Sequence, residues 1–235
     1  VSDWHLRPMA AFDLETTGTD VETDRVVTAA VIRIDPSTGG KQVRSWLADP
    51  GVEIPVEASD IHGVTTERAR AEGRPAAEVL GEIAAELTEL TDKEVPLVAF
   101  NAAFDLTLLD RELTRHGSPT DFGGRMRVID PMVLDRQIDR YRKGSRRLVD
   151  VCAHYGIRLD PGDAHGCEAD ALAAARLAWR LGSTRPELAA MDIDDLHQAQ
   201  RAWRAEQAAS LEAYLRRAKD PQAVVERDWP LIPAR

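Results

Sequence analysis

Asp13 and Glu15 stand two residues apart in Met9-Ala10-Ala11-Phe12-Asp13-Leu14-Glu15, whose apolar members predict a short buried strand. Side chains alternate along a strand, so the two carboxylates share one face while Phe12 and Leu14 take the other. Like charges that close raise each other's pKa, and a divalent metal is the usual remedy. The next residues, Thr16-Thr17-Gly18, are turn chemistry, so a solvated strand end is the competing reading. Asp105 follows Asn101, a good N-cap, which predicts an acid in the first turn of a helix, where the dipole favours the ionised form. Helix-end electrostatics alone would also account for it. A last group is Asp163-Ala164-His165-Gly166-Cys167-Glu168-Ala169-Asp170. Five helical residues turn a side chain through about 140°, so His165 and Asp170 cannot share a helix face. This puts His165 in a loop, between Gly162 and Gly166, and Asp170 in the first turn of the following helix. An imidazole titrating near neutrality on such a loop suits a mobile general base.

The elements that must position these residues follow from periodicity. Arg25 to Ile34 is rich in β-branched residues, Asp35 to Gly40 is a turn, and Lys41 to Ala48 alternates, which predicts an antiparallel meander with the first strand. Asp49 to Arg74 reads as a loop with at most a short helical turn. Pro75 opens a helix whose apolar positions are Val79, Ile83, Leu87 and Leu90. Val95 to Phe100 is a strand, Asn101 to about His116 a helix stopped by Gly117, and Val128-Ile129 a last short strand. Helices follow over Met132 to Ile138, Arg147 to Tyr155 and Glu168 to Leu181, with a polar break at Asp160 to Asp163. Leu172, Ala175, Arg176 and Trp179 are the expected buried face of the Glu168 helix. A longer helix spans about Asp194 to Arg217, with Ala199, Trp203, Gln207, Leu211, Tyr214 and Leu215 along one side and expected to pack on its own domain. Strands alternating with helices in this order predict an α/β fold, a mixed sheet flanked by helices.

At 235 residues and 43% hydrophobic content, the chain has room for one sizeable domain with an appended segment. No apolar run of about 18 residues and no signal-peptide pattern is present, so no membrane association is expected and a cytoplasmic location is the default. Cys152 and Cys167 are too few for a disulfide scaffold and lack zinc-site spacing, so both are read as reduced and structural. A formal net charge of -10 argues against a broad grip on nucleic acid. It leaves room for a metal-dependent enzyme acting on a strand end, where bound cations meet the phosphate. The one positive run, Arg140, Arg142, Lys143, Arg146 and Arg147, is either a solvated loop or a phosphate contact.

The segments Phe12 to Gly18, Phe100 to Asp105 and His165 to Asp170, in that order, resemble the three motifs of the DEDDh 3'-5' exonucleases. Ile61-His62-Gly63-Val64-Thr65 is similar to a loop that family carries between its first two motifs, and the resemblance covers roughly residues 8 to 182. It implies a ribonuclease H-like fold with a five-stranded mixed sheet, residues 1-182 forming the catalytic domain and 183-235 a helical C-terminal extension packed on it. It further implies that Asp13, Glu15, Asp105 and Asp170 hold two divalent cations, Mg²⁺ or Mn²⁺, as an all-oxygen donor set would. His165 would take the proton from the attacking water, and 5'-mononucleotides would leave a single-stranded 3' end of DNA or RNA. Leu14, Thr16 and Thr17 match positions lining the terminal nucleotide, and His62, Asn101 and Phe104 positions near its base or sugar. A polymerase or other protein partner, and a monomer or a homodimer, stay open. Cys167 and Glu168 depart from the small or apolar residues expected in the third motif, with Glu168 expected to face solvent. The alternative is a catalytically silent exonuclease-like module that binds a polymerase or a nucleic-acid end. Such a module would have lost a ligand or the histidine, and all five are present.

Overall fold

The structure, a computed structural model, describes residues 2–121, 124–159 and 166–234. Its sheet begins with three long antiparallel strands, β1 (Met9–Thr16), β2 (Val26–Asp35) and β3 (Gly40–Asp49), paired in the meander that the alternating segments predict. Two seven-residue helices, α1 (Val56–His62) and α2 (Thr66–Glu72), occupy the stretch expected to be a loop. Local caps explain them. Gly63 closes α1 in a left-handed conformation at φ 73°, and the Thr65 hydroxyl accepts from the Arg68 N–H to open α2. Such short helices carry too few turns for a periodic signal.

Arg74–Pro75 then pairs parallel with the end of β3 as β4, which makes the sheet six-stranded where five were expected. A two-residue strand of Arg and Pro leaves no alternation to read. Helix α3 (Ala76–Asp92) follows, with Pro75 as its N-cap. Strand β5 (Leu97–Val98) pairs parallel with β1, helix α4 (Ala102–Arg115) crosses back, and β6 (Val128–Ile129) pairs parallel with β5. The strand order is β4-β3-β2-β1-β5-β6. Helices α5 (Pro131–Ile138), α6 (Leu148–His154), α7 (Cys167–Thr184), α8 (Pro186–Ala189) and α9 (Ile193–Ala218) complete the chain. Among the described residues no helix is long and apolar enough to cross a membrane.

Alternation in β1 divides the core. Ala10, Phe12 and Leu14 enter the cluster that α3 and α4 complete, while Met9 and Ala11 enter the cluster beneath α7. Continuing that second face leads to Asp13 and Glu15, so both carboxylates lie on the α7 side. The buried face of α7 differs from the expected stripe: Ala171, Ala174, Ala175, Ala178 and Leu181 are buried, whereas Arg176 is exposed and Trp179 is 42% exposed. Alanines let the helix lie close across β1 and β2, and the larger side chains stay at its rim.

On α9 the expected stripe is likewise displaced. Leu211 and Tyr214 are exposed, and the buried positions include Leu196, His197, Gln200 and Glu212. The polar ones serve the sheet edge. His197 Nδ1 accepts from the Val128 N–H at 3.0 Å, and Gln200 accepts from the Asp130 N–H at 2.7 Å and donates to the Val128 carbonyl at 2.9 Å. Edge strand β6 thus meets side chains from α9 where another strand would otherwise be needed.

Candidate active site

Asp13 and Glu15 lie near the end of β1, just before a register shift between Glu15 and Thr16. Asp170 occupies the first turn of α7. One carboxylate oxygen from each of the three lies within 4.8 Å of the others. Burial and mutual repulsion disfavour the ionised forms of Asp13 and Glu15. Burial, then the Asp105, Glu15 and Asp170 charges, holds the Asp13 carboxyl well above its usual range. Burial, then Asp170, pushes Glu15 up to about 7.

Asp105 falls outside that trio and is positioned by the backbone. Strand β5 pairs with β1 only at Ala10 and Ala11, so the Leu14 N–H has no strand partner on that side. Asp105 Oδ1 accepts from it at 3.1 Å, fastening the first turn of α4 to β1. Burial raises the Asp105 pKa well above its usual value, and this hydrogen bond opposes the rise.

Asn101 is not the side-chain cap that its type predicts. It sits at φ 64°, and its side chain makes no capping bond. Asp130 does that work from the N-terminus of α5, accepting from the Asn101 and Ala102 N–H groups at 3.0 Å each. The same carboxylate accepts from the Met132 N–H and from Trp229 Nε1. One buried acid therefore caps two helices and holds the chain's C-terminal segment.

A groove of about 520 Å³ opens here. Of the residues proposed from sequence, Asp13, Leu14, Asn101, Phe104, Asp105 and Asp170 line it. Thr16 and Thr17 are engaged elsewhere. The Thr16 hydroxyl donates to the Gly18 carbonyl at 2.6 Å, and the Thr17 hydroxyl donates to Asp24 at 2.7 Å while accepting from the Arg25 N–H. A Cβ on Gly18 would stand 2.5 Å from Asp24 Oδ2, so the glycine admits this tight turn. His62, at the end of α1, lies against the Thr16 backbone, and burial lowers its pKa. His165 lies outside the described residues.

Glu168 faces solvent, as expected. Cys167 is buried near Asp13 and Glu15, and burial together with those negative charges pushes its thiol up to about 12. In the metal-free protein it is a neutral, buried packing group, and the clustered oxygen donors are those of Asp13, Glu15 and Asp170. In the basic run, Arg142 and Arg146 converge on the buried Asp135 at 2.9 and 2.6 Å, Arg140, Lys143 and Arg147 are exposed, and Arg146 and Arg147 line the groove. Sequence reasoning missed Arg136 and Arg204, both of which line the groove. Arg136 sits within an otherwise ordinary helix, and Arg204 lies far along the chain on α9, so neither carries a local signal.

The donor set fits a hard divalent cation: three clustered carboxylate oxygens, with the Asp13 and Glu15 carboxyls held above their usual range by burial and neighbouring acids. A mixed sheet with an acidic cluster on an inner strand, closed by a helix bearing a further acid, defines an exonuclease-type α/β domain. The RNase_T exonuclease family matches residues 10–178, and the chain belongs to this DEDDh 3'-5' exonuclease family.

E. coli exonuclease I in complex with a dT13 oligonucleotide is similar to the chain with a TM-score of 0.65 and 23% identity, covering 77% of this chain and 42% of that one. A further exonuclease I structure gives 0.67 at 21% identity, covering 88% and 46%. A zinc-bound E. coli ExoI-ssDNA complex gives 0.64 at 23%, covering 77% and 41%. The chain spans less than half the length of these structures, and the likeness establishes the ribonuclease H-like fold. No curated protein matches the sequence.

Proposed function

We propose that this chain hydrolyses the 3'-terminal phosphodiester of single-stranded DNA and releases 5'-mononucleotides. The convergence of Asp13, Glu15 and Asp170 within 4.8 Å carries this reading, and the likeness to exonuclease I solved with an oligonucleotide favours DNA. Residues 1–182 act as the catalytic domain, and 183–235 form an extension that completes the groove. Asp13, Glu15 and Asp170, with Asp105 beside them, hold Mg²⁺ or Mn²⁺. When bound, a pair of such ions supplies Lewis-acid stabilisation of the charge on the attacking and leaving oxygens. His165, next to Gly166 and ahead of the helix that carries Asp170, takes the proton from the attacking water. Leu14, Asn101 and Phe104 seat the terminal nucleotide in the groove, and His62, Thr16 and Thr17 shape the β1 end against which it rests.

The test is product analysis on matched 3'-labelled DNA and RNA oligonucleotides with Mg²⁺ or Mn²⁺. Labelled mononucleotide is expected first from DNA. Asp13→Asn and Asp170→Asn should each lower the rate at least about a hundredfold with the fold retained. His165→Ala should lower it by about two to four powers of ten. Wild-type release by Asp170→Asn would overturn the assignment.

A further inference from the structure

Four arginines line the groove that holds the acidic cluster: Arg136, Arg146, Arg147 and Arg204. Two are paired with acids, Arg146 sharing its acid with Arg142. Arg146 donates to Asp135 at 2.6 Å and Arg147 to Asp150 at 2.8 Å. Among the described residues Arg136 and Arg204 have no ion-pair partner, and Arg136 Nε is buried without a hydrogen bond. Asp130 contributes to the field at both, with Asp135 acting on Arg136 and Glu226 on Arg204, yet Asp130 already accepts four hydrogen bonds, from Asn101, Ala102, Met132 and Trp229, and Asp135 is held by Arg142 and Arg146. Burial lowers both guanidinium pKa values, and Arg136 is further disfavoured by Arg204 and Arg146. Two partly buried, unpaired cations held in one cavity are costly in the free protein. An anion between them would offset that cost.

We propose that Arg136 and Arg204 form a phosphate subsite that seats the strand on the 5' side of the scissile bond. This rests on the exonuclease reading above. A strand with a free 3' end has no phosphate beyond its terminal nucleotide, and the scissile phosphate belongs at the carboxylates. The remaining phosphates all lie toward the 5' end, so an anion site elsewhere in the groove takes one of those. Planar guanidinium groups suit phosphate oxygens, which they bind in bidentate fashion. Arg204 lies outside the residues 10–178 matched by the family, so this half of the subsite belongs to the C-terminal extension.

The experiment compares a DNA dinucleotide, which has only the scissile phosphodiester, with a tetranucleotide, which also carries upstream phosphates. Arg204→Gln should raise KM for the tetranucleotide about tenfold with kcat little altered, the scale of a lost charged hydrogen bond. The tetranucleotide-to-dinucleotide ratio of kcat/KM should fall by the same factor, and Arg204→Lys, which keeps the charge but not the planar fork, should restore only part of it. The salt dependence of tetranucleotide binding should also become shallower, by about 0.7 in slope for one lost contact on a single strand. Arg136→Gln provides the same readout should Arg204→Gln fail to fold. Equal loss on both substrates with an unchanged salt slope would overturn the subsite alone. A wild-type protein that cleaves neither substrate would overturn the exonuclease reading beneath it.

Discussion

Glu15 couples the site to stability, because burial first and Asp170 second raise its carboxyl from the usual 4.5 to about 7. A raised acid pKa means that the folded state resists ionisation. Stability is then fully present below about pH 4.5 and is lost as pH rises through about 7, with an upper bound of roughly 3 kcal/mol. The metal-free wild type should therefore lose melting temperature relative to Glu15→Gln as pH rises from about 5 to about 8. Added Mg²⁺ should raise the wild-type melting temperature most at pH 8, where proton competition for the carboxylate has ended. Thermal unfolding with and without chelator checks this, and an unchanged slope in Glu15→Gln would place the penalty on another group. At this scale Asp13, Glu15 and Asp170 were legible because the rules that place them are local: strand alternation for two, a helix start for the third. Thr16 and Thr17 were not, since hydroxyl partners such as Asp24 depend on how the next turn folds. The Asn101 cap was misread for a related reason: a carboxylate 29 residues away performs the role.

Helix α9 shows what hydrophobic patterning leaves out. Its apolar positions suggested a buried stripe, yet the contacts that fix it to the sheet are made by His197 and Gln200 on the backbone of β6. A short edge strand without a neighbour needs polar partners, and no periodicity rule ranks a buried glutamine. His197 accepts the Val128 N–H only when Nδ1 is unprotonated. Burial, then the Arg127 charge, lowers its pKa to about 4 from the usual 6.5. For a base with a depressed folded pKa, stability is fully present above about pH 6.5 and is lost as pH falls toward 4. The loss reaches at most about 3 kcal/mol. Denaturant titrations between pH 7 and pH 4 should show a steeper decline for wild type than for His197→Asn, whose amide oxygen can still accept the hydrogen bond. Parallel declines would remove His197 as the source. The Glu15 dependence, over about pH 4.5 to 7, and the His197 dependence, over about pH 6.5 to 4, oppose each other across nearly the same window, so they largely cancel in the wild type and each is read from the difference between wild type and its own variant.

At the level of the whole molecule, the chain's last residues fold back onto α9, α4 and the Asp130 cap. Glu212 accepts from the Val225 N–H, the Thr107 hydroxyl accepts from the Ile232 N–H, and Arg111 donates to the Ile232 carbonyl. Between these fastenings Trp229 is 4% exposed and donates to Asp130 Oδ2 at 3.2 Å, with its ring centroid 5.1 Å from that of His197. Composition reported only a net charge of -10, because averaging hides a groove in which arginines and acids share one cavity. Trp229 sits where the extension, the edge-strand histidine and the cap of the Asp105 helix meet. Trp229→Ala should lower unfolding free energy by about 3–5 kcal/mol, the scale for truncating a buried aromatic. Trp229→Phe keeps most of the ring and loses one hydrogen bond, so it should cost nearer 1 kcal/mol. Turnover separates packing from positioning. At a temperature where all variants are folded, Trp229→Ala should reduce kcat because the cap that holds Asp105 against Leu14 loosens, whereas Trp229→Phe should stay within a few-fold of wild type. If the two variants lose kcat equally, the hydrogen bond to Asp130 rather than the ring transmits the effect, and the packing account of the tail fails.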